Sequence, residues 1–134
     1  MPSKCSPEQS LVYAVEHVVE REMPSRVLTF DEARALIEEI AFDEEVEPPT
    51  VERIRSNTFD GVASNRLNVI GIKSTTNALI VCHEFAHIVA GFGHDDLWRS
   101  KFVDLVRRYI SVQHASLLHT LYLRSGLPVD HWRA

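Results

Sequence analysis

An α+β fold, with helices packed on a small sheet and one helix buried nearly all round, is what this 134-residue chain predicts. Three observations carry the prediction. Several segments place apolar residues at helical spacing behind recognisable caps. The stretch 50–72 is instead rich in β-branched and bulky residues. Residues 78–90 are apolar except at Cys82, His83, Glu84 and His87. The length suits a single domain over 1–134, and a chain near this size buries roughly 65–70% of its unfolded surface, enough for a core without staples.

The first helix is expected from about Pro7 to Glu22. Ser6 is its N-cap, Pro7 stands at N1 and Gln9 at N3 as capping-box partner. Leu11, Val15, Val18 and Val19 recur on one face, and Pro24 ends the helix. Thr29-Phe30-Asp31-Glu32 is a second capping box, followed by the stripe Ala33, Leu36, Ile37 and Ile40. The acidic, proline-bearing stretch 43–49 reads as a loop. Val51, Ile54, Phe59, Val62, Leu67, Val69, Ile70 and Ile72 read as strands, with Asp60-Gly61 as a hairpin turn and residues 66–72 as the clearer strand. Ser74, Thr75, Thr76 and Asn77 offer N-caps for the buried helix 78–90, and Gly91 suits a left-handed position after it. Asp95 or Asp96 caps the next helix, which carries Trp98, Phe102, Leu105 and Tyr109 on one face to about Ile110. A last helix, roughly Val112 to Arg124, carries Ala115, Leu118, Leu121 and Tyr122 and stops at Ser125-Gly126.

Composition narrows the partners. A net charge of −5 argues against nucleic acid, which Lys and Arg neutralise. The local basic cluster at Arg99, Lys101, Arg107 and Arg108 reads as one solvated helix face. No apolar run approaches the roughly 20 residues that span a membrane, and the start has no apolar signal region. Two cysteines, Cys5 and Cys82, make no disulfide framework, so a cytoplasmic setting is expected.

The chemistry concentrates at His83-Glu84-Phe85-Ala86-His87, an H-E-x-x-H match. Histidines four apart share a helix face at roughly 5–6 Å between Cβ atoms, so both imidazoles reach one Zn²⁺ at about 2.0–2.1 Å. Glu84, one step round, reaches a metal-bound water without displacing it and serves as general base. Two histidines and a glutamate in so apolar a helix need compensation, and a dication supplies it. A catalytic zinc takes a third protein ligand and keeps one open position. His94 is the candidate, with six residues between it and His87 and with Gly91 and Gly93 letting the chain turn back.

Other groups compete. Asp95 and Asp96 are rival ligands, or hold a ligand histidine, or only cap a helix. Cys82 points about 100° from His83 and reads as a packed thiol. His114 and His119, five apart, do not share a face. One of them, or Tyr109 or Tyr122, can stabilise an oxyanion, although surface histidine and core tyrosine are the simpler readings. His17 and His131 read as surface residues, and Trp98 and Phe102 as packing.

At HEFAH…GFGHDDLWRSKFVDL the chain resembles the zincin metallopeptidases, closest to small SprT-like and WLM-type sequences. Those carry H-E-x-x-H, then a third His followed by a small or acidic residue and an aromatic four positions on, as His94 and Trp98 do. The layout is also similar to metallohydrolases of actinobacteria and their phages, where a helix near V-Y-A-x-E precedes the sheet; Val12-Tyr13-Ala14-Val15-Glu16 matches, as does the Leu/Ser-rich C-terminal helix with its Gly stop. The resemblance implies a zincin-like domain with Zn²⁺ on His83, His87 and His94 and Glu84 as catalytic acid/base. Asp95 stands where SprT-like sequences usually have Gly, and metzincins place the third His one residue closer. SprT-like relatives act on DNA-bound proteins, but no zinc ribbon or basic tail is present here. A protein or peptide substrate is expected, with nucleic acid disfavoured. The alternatives are a zinc-containing binding module for a host or partner protein, closed by a fourth protein ligand, and a zinc hydrolase of a non-peptide substrate.

Overall fold

The computed structural model describes residues 6–129, so Cys5 and His131 lie outside the described residues. Cap chemistry starts the helices where the sequence places them. In α1 (Pro7–Glu22) the Gln9 N–H donates to Ser6 Oγ at 3.0 Å. In α2 (Phe30–Glu44) the Glu32 N–H donates to Thr29 Oγ1 at 3.1 Å, and the Thr29 N–H returns a bond to Glu32 Oε1 at 2.8 Å. A cap of this kind contributes about 1 kcal/mol. α2 runs further than expected: residues 43 and 44 are helical, and the loop begins at Glu45, which takes φ 58°. Glutamate is a good helix former, so acidic charge alone does not end a helix. Pro48 and Pro49 keep it from resuming.

The described residues group into two units, residues 6–24 with 93–129, and Ser25–Phe92. The first is helical: α1, α4 (Asp96–Tyr109) and α5 (Val112–Arg124), with α5 packed on both others. Val12, Val19, Trp98, Phe102, Leu105, Leu118 and Tyr122 are wholly buried. Asp95 caps α4 by accepting the Trp98 N–H at 3.0 Å, and Ser111 caps α5 by accepting the His114 N–H at 2.9 Å. The His114 ring is a tie rather than a surface group. Its Nε2 donates to the Met23 carbonyl at 2.8 Å, which leaves Nδ1 to accept from Ser111 Oγ at 2.6 Å.

The basic cluster of α4 is not one solvated face. Arg99 is 2% exposed. Lys101, Arg107 and Arg108 instead surround Asp104 at 3.6, 3.1 and 3.0 Å, the i,i+3 and i,i+4 pairing a helix allows.

The second unit holds the strands. β1 (Val27–Thr29) pairs antiparallel with β5 (Thr75–Asn77). β2 (Thr50–Arg53), β3 (Gly61–Ser64) and β4 (Val69–Ile72) form a sheet in the order β2-β4-β3, with β2 parallel and β3 antiparallel to β4. The expected turn at Asp60-Gly61 is absent. Gly61 opens β3, and the chain reverses over residues 65–68, so Arg66 and Leu67 are turn rather than strand. The Leu67 N–H donates to Ser64 Oγ at 3.1 Å, and Asn68 takes φ 54°, a conformation that asparagine tolerates. Asn68 also starts β2, its carbonyl accepting the Thr50 N–H at 2.9 Å. α3 (Ala78–Ala90) packs on α2 and on β3. Among the described residues no helix is long and apolar enough to cross a membrane.

Candidate metal centre

α3 has its first turn satisfied before any ligand is considered. Asn77 is the N-cap, accepting the Ile80 N–H at 2.9 Å. The Ala78 N–H donates to the Arg26 carbonyl at 2.9 Å and the Leu79 N–H to Ser25 Oγ at 3.2 Å. These bonds settle N–H groups that a buried helix start would otherwise leave orphaned. With its end anchored, α3 buries every residue from Val81 to His87. His83, Glu84 and His87 are 4, 7 and 7% exposed.

The far end of α3 prepares one ligand. Gly91 takes φ 105° with ψ −176°, an extended positive-φ conformation essentially restricted to glycine, rather than the left-handed one expected. Its carbonyl accepts from His87 Nδ1 at 2.8 Å. A carbonyl only accepts, so Nδ1 carries the proton and Nε2 keeps a lone pair for a metal. Burial lowers the His87 pKa to about 4; the Gly91 bond opposes that shift and His83 adds to it. His87 is therefore neutral at pH 7, as a ligand must be.

His83 stands one turn back, its ring centroid 5.2 Å from that of His87. His94 follows the glycines and is half-buried, its ring flanked edge-on by Tyr13 at 5.4 Å and Trp98 at 4.6 Å. Trp98, four residues on, thus orients the His94 ring while stacking on Phe102 at 5.0 Å. One ring nitrogen from each of His83, His87 and His94 lies within 4.8 Å of the others. Three imidazoles, one already in a ligating tautomer, are a donor set that fits Zn²⁺.

The rivals fall elsewhere. Neither Asp95 nor Asp96 joins the converging group among the described residues; both are exposed, and Asp95 Oδ1 is spent on its cap. Cys82 is wholly buried in α3 and does not join the converging group. Tyr122 is wholly buried as well. Burial first, and then Glu16, raise its phenol well above the ordinary value, with Arg99 opposing. Tyr109 lies under the Arg108 guanidinium at 5.2 Å, and both ring nitrogens of His114 are engaged.

Three residues beside the site escape the sequence reading of their roles. Gly61 looks like turn chemistry, yet a Cβ there would stand 3.0 Å from Glu84 Cγ and Oε2 and 3.2 Å from Ile80 Cγ2. The missing side chain is the room that the Glu84 carboxylate occupies. Tyr13 carries no spacing signal toward His94. Arg99 does carry one, because it shares a helix face with the apolar Val103 and Val106.

Comparison with family models, with curated proteins and with solved structures finds no match for this chain.

Proposed function

We propose that this chain is a zincin-like, zinc-dependent metallohydrolase that cleaves peptide bonds. The observation that supports the reading is the convergence of His83, His87 and His94 next to the buried Glu84. A zinc ion there would supply an activated water, with a pKa lowered toward about 7, and Lewis-acid polarisation of a carbonyl. His83, His87 and His94 would hold the ion, His87 through Nε2. Glu84 accepts the proton of the attacking water and passes it to the leaving amine. Burial around these residues keeps bulk water from screening the charges that develop. The peptide as substrate rests on the resemblance of the HEFAH…GFGH segment to zincin peptidases.

The test is metal content together with hydrolysis. Purified chain is expected to carry about one zinc, as three histidines with an open position imply. It is expected to cleave members of a broad peptide library, to lose that activity on chelation and to regain it with Zn²⁺. A chain that binds no zinc, or cleavage that survives its removal, would overturn the reading. Cleavage of esters but of no peptide would move the substrate class.

Gly61→Ala probes the carboxylate directly. Glu84 must give way by a few tenths of an ångström to admit the methyl group, and displacement of a catalytic group is costly in rate. The expected outcome is unchanged zinc content with kcat lower by about tenfold. Wild-type kcat in this variant would mean that β3 does not position Glu84.

A further inference from the structure

Among the described residues of the helical unit, Arg99 is the only charged side chain fully withdrawn from water. A guanidinium is tolerated in such a place only when its donors are met. Nη1 donates to the His94 carbonyl at 2.7 Å and to the Glu8 carboxylate at 2.5 Å, and Nε donates to the Pro128 carbonyl at 3.1 Å. The acceptors belong to three separate stretches: the residue before the Asp95 cap of α4, the first turn of α1, and the segment after α5. His94 itself lies outside any helix or strand, between the end of α3 and the start of α4. Regular structure does not place its main chain, so Arg99 supplies that constraint while Tyr13 and Trp98 orient the ring. A metal ligand has to be held to within about 0.5 Å of its productive position.

We propose that Arg99 is a positioning residue for the third metal ligand. By anchoring the His94 main chain to α1 and to the segment after α5, it holds the imidazole where it converges with those of His83 and His87. The inference rests on the reading of His94 as a ligand. It also accounts for an arginine at this position: one planar fork serves acceptors from three directions, which a lysine ammonium on a flexible stem does not reproduce.

The test compares Zn²⁺ affinity, the visible spectrum of the Co²⁺-loaded chain and melting temperature across four proteins: wild type, Arg99→Lys, His94→Ala and Ser111→Ala. Arg99→Lys keeps the charge and loses the fork. It is expected to bind Zn²⁺ about 10–100-fold more weakly, the range typical for residues that orient metal ligands. Its Co²⁺ spectrum is expected to move toward that of His94→Ala. Ser111→Ala removes the α5 cap, so it should lower the melting temperature and leave Zn²⁺ affinity and the Co²⁺ spectrum unchanged. If Arg99→Lys fails to fold, the double variant Glu8→Gln/Arg99→Gln removes both charges together and carries the same comparison. An arginine variant that melts earlier but keeps wild-type Zn²⁺ affinity and Co²⁺ spectrum would assign Arg99 to stability alone and overturn the inference. Loss of Zn²⁺ in His94→Ala beside full retention in the arginine variant would overturn this inference and leave the three-histidine reading standing. A wild type that binds no Zn²⁺ would overturn both.

Discussion

Glu84→Gln is expected to retain zinc and lose hydrolysis by two to four orders of magnitude, the usual contribution of a positioned general base. In barrier height that is about 3–5 kcal/mol. Glutamine keeps the length and volume of glutamate, so it still fills the space beside Gly61 that a Cβ would otherwise claim. It also leaves His83, His87 and His94 untouched. What it lacks is basicity, since an amide does not take the proton of the attacking water. Zinc content and kcat/KM measured on one preparation separate the outcomes. Undiminished turnover would remove Glu84 from the mechanism. Loss of zinc along with activity would make Glu84 part of the framework of the site.

The second large effect concerns the third ligand. His94→Ala is expected to weaken Zn²⁺ binding far more than Asp95→Ala. Structural zinc sites with four ligands bind with roughly 10–16 kcal/mol, so removing one ligand costs on the order of 3 kcal/mol, or about two orders of magnitude in affinity. Asp95 has different work: its Oδ1 accepts the Trp98 N–H. Its replacement should lower stability by about 1 kcal/mol through loss of the cap and change Zn²⁺ affinity only a little. Competition titrations with a zinc indicator, read beside melting temperatures, distinguish the two. The reverse order of affinities would transfer ligation to the carboxylate.

Several features were legible because they are local. Ser6, Thr29, Asn77 and Asp95 each accept an N–H three residues on, a geometry that short polar side chains impose wherever a helix begins. α1, α3 and α5 therefore span the residues that capping and periodicity indicate. The strands were less legible because their pairing is not local. β1 and β5 are three residues each and join Val27 to Asn77 across the chain, and segments that short carry no alternation to detect. Asp60-Gly61 resembles a hairpin turn, but Gly61 is small because Glu84 lies against it.

The sequence by itself determined that His83 and His87 share one face of a buried helix with Glu84 beside them, since i,i+4 spacing and an apolar surround need no knowledge of distant residues. It also carried the local choice of His94 as a candidate behind two glycines. The tertiary structure decided the rest: that His94 and not Asp95 joins the converging imidazoles, that the Gly91 carbonyl sets the His87 tautomer, and that Arg99 is buried on Glu8, His94 and Pro128 rather than solvated. The physical reason is common to all three. Each depends on where a backbone carbonyl or side chain arrives once the chain has folded, which residue spacing alone does not set.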